Sequence, residues 1–106
     1  MGGSNKPLSE VYRICAKEWV EADAAANLLE ETKSAVLSQH MAALGDMPVS
    51  KAELAVKSTA QWHQYLTEMV EARKKANLLK VKMEWLRMRF MEWNSENATR
   101  RAEMKL

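Results

Sequence analysis

Glycine and proline are nearly missing from this 106-residue chain, which has three of the first and two of the second, all at positions 2, 3, 7, 45 and 48. Nothing therefore obliges the backbone to turn between about residue 8 and residue 44, or beyond residue 50. Cysteine occurs once, as Cys15, which excludes an internal disulfide. Its place in an apolar helical stripe predicts a buried, inert thiol in a reducing compartment. No apolar run approaches the roughly 20 residues of a membrane span, and the polar start from Met1 to Lys6 contains no apolar signal region. The expectation is a soluble, cytoplasmic protein without a membrane partner.

The usual equipment of catalysis is missing as well. The two histidines, His40 and His63, have no His or Cys at ligand spacing, so neither a metal nor another cofactor is expected. No Ser or Cys nucleophile stands in a recognisable arrangement with a base, and no glycine-rich loop could cradle a phosphate. A thin helical assembly also makes a closed pocket hard to build. These absences argue against an enzyme.

What remains is helical periodicity. Tyr12, Cys15, Trp19, Ala22, Ala26, Leu29, Val36 and Ala43 form one stripe with alternating spacings of three and four, interrupted at Lys33 and His40. Trp62, Tyr65, Met69, Ala72, Ala76, Leu79, Met83, Leu86, Phe90 and Trp93 form a cleaner one. The pattern predicts an all-α fold, a long two-helix antiparallel hairpin in which the second helix is the longer. Residues 1–6 read as a flexible N-terminal extension, and residues 7–106 as one domain. Within it, a helix over 7–44 begins at Pro7 and stops at Gly45, and a turn spans 45–49. A second helix runs over 50–93 or beyond, started by a capping box of Ser50 and Glu53. The tail 94–106 opens with Asn94-Ser95-Glu96-Asn97, residues that compete for backbone hydrogen bonds and favour a break or fraying.

At ~1.5 Å per residue, the helix from residue 50 to the end would be roughly 80 Å long against about 55 Å for the first. The ends cannot match, so the last part of the second helix is left to pack on another subunit, stay exposed or bend. A homo-oligomeric helical bundle is the expected solution. A short segment also occurs twice: Glu21-Ala22 before Ala26-Asn27-Leu28-Leu29, and Glu71-Ala72 before Ala76-Asn77-Leu78-Leu79. Alanines on the seam permit close helix approach. A hairpin centred near Met47 would keep the two copies apart within one chain, which leaves two readings: the copies meet between chains, or two helices of similar composition match by chance.

Charge is distributed along the chain. Residues 1–50 carry four Lys or Arg against seven Asp or Glu, net −3, and residues 51–106 carry twelve against seven, net +5. Between Arg73 and Met91 seven basic residues face a single acid, Glu84. Nearly opposite the Leu79, Met83, Leu86 and Phe90 seam lies a second apolar stripe of Leu78, Val81, Trp85 and Met88. That stripe has two readings. In one, Val81, Trp85 and Met88 make a subunit interface with the basic residues as its solvated rim, since Trp, Met and Arg are enriched at such contacts, and Ala72, Ala76, Leu78, Phe90 and Trp93 of the same helix join it. In the other, Trp85 stacks on bases while Lys74, Lys75, Lys82, Arg87 and Arg89 hold phosphates, as in proteins that bind single strands without sequence preference.

From Val70-Glu71-Ala72 through Arg87-Met88-Arg89-Phe90 to Ala98-Thr99-Arg100-Arg101-Ala102-Glu103-Met104-Lys105-Leu106, the chain resembles small helical proteins encoded by tailed bacteriophages. The resemblance implies a place among phage recombination and replication functions, in the host cell cytoplasm, and brings no catalytic motif with it. Together these readings predict a non-catalytic accessory of phage DNA metabolism whose partners are single-stranded DNA or a recombination protein. The alternative is a protein-interaction module, an adaptor or an inhibitor of a host factor that makes no direct DNA contact.

Overall fold

The computed structural model describes residues 6–104. The expected N-terminal extension, apart from Lys6, and the last two residues of the tail lie outside them. The described residues are all-helical: α1 spans Leu8–Ala43, α2 Val49–Lys57 and α3 Ala60–Met104. By contacts the chain divides into two compact units, residues 1–21 with 77–106, and residues 22–76.

The start of α1 follows from Pro7, whose carbonyl accepts from the amides of Glu10 and Val11 at 3.0 and 3.1 Å. Its end follows from Gly45, at φ +84, a conformation that side chains with a Cβ rarely adopt. The Gly45 amide donates to the Ala42 carbonyl at 3.2 Å, which closes the last turn.

Three expectations need correction here. The capping box of Ser50 and Glu53 does not form. Pro48 is the N-cap, without a side-chain hydrogen bond, and the helix has already begun at Val49. Glu53 instead pairs with Lys57 at 2.7 Å. Second, the helix expected to run unbroken from residue 50 is two helices, divided at Ser58 and Thr59, where the Thr59 amide donates to the Val56 carbonyl at 3.0 Å. The Ser58 hydroxyl donates to the Leu54 carbonyl at 2.8 Å and the Thr59 hydroxyl to that of Val56 at 2.7 Å. Thr59 Oγ1 then accepts from the Trp62 amide at 3.2 Å, so Thr59 is the side-chain cap of α3. Third, Asn94-Ser95-Glu96-Asn97 does not break α3, which continues to Met104. Among the described side chains from Met91 to Glu103 all but Asn97 are exposed.

In the unit of residues 22–76, the interior is small: Ala22, Ala26, Ala52, Val56, Trp62 and Ala76 are buried. Ala26 and Ala76 have no exposed surface at all, which is the close approach that seam alanines permit. Trp62 stacks on Tyr65 with ring centroids 5.7 Å apart. The Tyr65 hydroxyl donates to the Leu29 carbonyl and lies 3.0 Å from Thr32 Oγ1, which satisfies the polar end of a half-buried aromatic.

In the other unit, Cys15 and Leu86 are buried. The Cys15 thiol donates to the Leu79 carbonyl at 3.6 Å, which ties α1 to α3. Past Leu86 the seam opens. Phe90 and Trp93, expected on it, are exposed and stack on each other at 6.2 Å instead.

Candidate functional site

Arg73 opens the basic stretch, and the structure takes it out of the free positive surface. Its guanidinium donates from Nη1 to Asp23 at 2.7 Å and from Nη2 to Asn27 at 2.6 Å. It also forks onto both carboxylate oxygens of Glu30, at 2.8 and 3.0 Å. The bidentate geometry is the one arginine provides and lysine does not. The hydrogen bond from Arg73 holds the Glu30 carboxyl below its ordinary range, while those to Glu30 and then Asp23 push the guanidinium further above its own. Asp23 and Asn27 lie in the first copy of the repeated segment and Arg73 in the second. The two copies therefore do meet within one chain, contrary to the expectation from the hairpin register, because a long side chain reaches across the offset.

The remaining cations are differently placed. Lys74 and Lys75 are exposed on α3 in the same unit as Arg73. Lys82, Arg87 and Arg89 are exposed on α3 in the unit that contains Cys15 and Leu86. Among the described residues Lys74, Lys75, Lys82 and Arg87 make no ion pair. Arg89 comes within 3.9 Å of Glu92, a long and exposed contact that contributes little in water.

Leu78, Val81, Trp85 and Met88 follow each other at spacings of three, four and three on the face of α3 away from Leu79 and Leu86. All four are exposed, Trp85 at 56 %. The Arg89 guanidinium sits 5.8 Å from the centroid of the Trp85 ring, within reach of a cation–π contact. Lys82 stands one turn before Trp85. An aromatic ring, a cation on that ring and a neighbouring ammonium thus share one outward face.

No protein-family model, curated protein or solved structure matches this chain.

Of the residues expected at a subunit interface, Leu78, Val81, Met88, Phe90 and Trp93 are exposed, and Ala72 is half-buried. Ala76 is a correction: it is fully buried in its own chain, where its lack of a longer side chain lets the helices close.

A feature missed in the sequence lies on the flank between α1 and α3. One open groove, of about 300 Å³, is lined by Leu8, Ser9, Tyr12, Arg87 and Phe90. A second, of about 140 Å³, is lined by Tyr12, Trp19, Lys80, Met83, Glu84 and Arg87. The two share Tyr12 and Arg87. Tyr12 and Trp19 read as core because they keep the seam spacing, yet both are only half-buried. Among the described residues no group of three or more His, Cys, Asp or Glu side chains is gathered as for a metal ion. No helix among them is long and apolar enough to cross a membrane.

Proposed function

We propose that this chain is a non-catalytic accessory of phage DNA metabolism that binds single-stranded nucleic acid, or assists a recombination protein, through the basic, Trp-containing part of α3. The observation that carries the reading is Trp85, more than half exposed, with Arg89 over its ring and Lys82 one turn away. Base stacking on an exposed aromatic beside cations is how single strands are held without regard to sequence. The phage setting follows from the resemblance of the segment from Val70 to Leu106. In this reading α1 and the longer α3 run antiparallel as a hairpin, and copies assemble into a helical bundle through α3.

The test is fluorescence anisotropy of a labelled single-stranded oligonucleotide at low and moderate salt, with Trp quenching read in parallel. Micromolar or tighter binding that weakens with salt, and that is lost when Lys82, Arg87 and Arg89 are all replaced by Ala at unchanged oligomer mass, supports the proposal. Unchanged affinity of that triple variant sinks it.

A second reading is favoured by the apolar part of the same face. Leu78, Val81 and Met88 are each about 60 % exposed, which suits a partner helix of an adaptor or host-factor inhibitor. A protein that stays monomeric and retains no partner on affinity capture would remove the basis for this version.

A further inference from the structure

The two grooves on the α1–α3 flank adjoin each other at Tyr12 and Arg87, which line both, and together make a strip. The strip combines three aromatic rings, Tyr12, Trp19 and Phe90, with two cations, Lys80 and Arg87. Tyr12 and Trp19 are two turns apart on α1, as Lys80 and Arg87 are on α3. At about 1.5 Å per residue each pair spans about 10 Å, the length of roughly three nucleotides stacked at about 3.4 Å. Aromatic and cationic side chains thus alternate across a cleft on the length scale of a short single strand. An apolar peptide or a lipid tail would have no use for two cations without ion-pair partners among the described residues. A strand has a flat base for each ring and a phosphate for each cation.

We infer that this flank is a second track for single-stranded nucleic acid, in which Tyr12, Trp19 and Phe90 take base faces while Lys80 and Arg87 take phosphates. The inference goes beyond the outward face around Trp85 and rests on the proposed reading only for the class of ligand. One residue opposes it locally: Glu84 lines the same strip one turn after Lys80, so its carboxylate repels a bound phosphate. That opposition makes the assignment testable in both directions.

The experiment uses the full chain and a labelled oligothymidylate, read by anisotropy across a salt series, with Lys80→Ala, Glu84→Gln, Tyr12→Leu and Trp85→Ala compared. Lys80 and Glu84 are exposed, so their replacement leaves the fold intact, and circular dichroism melts check each variant. Lys80→Ala is expected to weaken binding and reduce the salt slope by about 1, as the loss of one phosphate contact does. Glu84→Gln is expected to tighten binding, and Tyr12→Leu, which keeps apolar bulk but loses the ring, to weaken it on the order of tenfold. If the wild-type chain binds, Trp85→Ala weakens it, and Lys80→Ala and Glu84→Gln leave affinity and salt slope unchanged, the flank is not a track and the Trp85 face stands alone. If the wild-type chain binds no strand at low salt, both proposals fall together.

Discussion

Asp23 and Arg73 are fifty residues apart and 2.7 Å from each other. They occupy the same position in the two copies of the repeated segment, directly after Glu21-Ala22 and Glu71-Ala72. Equal positions in two similar helices carry opposite charge, and the long arginine closes the distance. A cation on α3 is thereby used to hold α1, and Asn27 and Glu30 complete the clamp.

Arg73→Ala is expected to lower the midpoint of thermal unfolding, because it leaves Asp23 and Glu30 near each other with no cation between them. Arg73→Lys should recover only part of the loss, since one ammonium cannot fork onto Glu30 while reaching Asp23 and Asn27. Thermal melts of the two variants check this, and full recovery by lysine would show that charge alone matters.

The same clamp sets a pH dependence. The carboxyl of Glu30 is held below its ordinary value of 4.5 by the hydrogen bond from Arg73. A group whose folded value is depressed contributes stability that is complete above the unfolded value and is lost as pH falls through the folded one. Stability should therefore be flat above about pH 5 for this group and should decline below 4.5, and Glu30→Gln should flatten that acid limb. Urea unfolding at a series of pH values measures both.

Ala26 and Ala76 have no exposed surface, so a longer side chain at either must push helices apart. Ala26→Leu is expected to cost about 1–3 kcal/mol, the usual penalty of overpacking. Denaturant unfolding of the variant would contradict the close packing if stability were unchanged or increased.

Thr59 caps α3 through the Trp62 amide at 3.2 Å. Removing the hydroxyl in Thr59→Ala should cost ~1 kcal/mol, and Thr59→Ser, which keeps it, much less. Amide exchange at Trp62 reads the cap directly, and equal exchange in wild type and Thr59→Ala would show that it is not formed.

Much of this molecule is set by local rules acting on nearby residues. Pro7 and Gly45 bound α1 because each restricts or frees its own backbone. The three-four spacing placed Cys15, Ala22, Ala26, Trp62, Ala76 and Leu86 in the interior, and the opposite spacing left Leu78, Val81, Trp85 and Met88 outside. The break at Ser58 and Thr59 was harder to see, because hydroxyl residues are tolerated within helices and act as breakers only where the chain has another use for the freed bonds. Ser50 and Glu53 show the converse: a sound capping pattern stays unused once the helix has its N-cap two residues earlier, at Pro48.

What the amino-acid order determined by itself was the helical content, the position of the turn, which stripes are apolar and where the positive charge lies, since periodicity and composition act over one or two turns. Only the tertiary structure decided what those stripes and charges do. Arg73 became a clamp rather than a free cation, Tyr12 and Trp19 became the walls of an open flank, and Phe90 and Trp93 were left outside the seam. Each depends on which residue of a distant helix lies opposite, and that register is fixed by packing between helices, which no local pattern records.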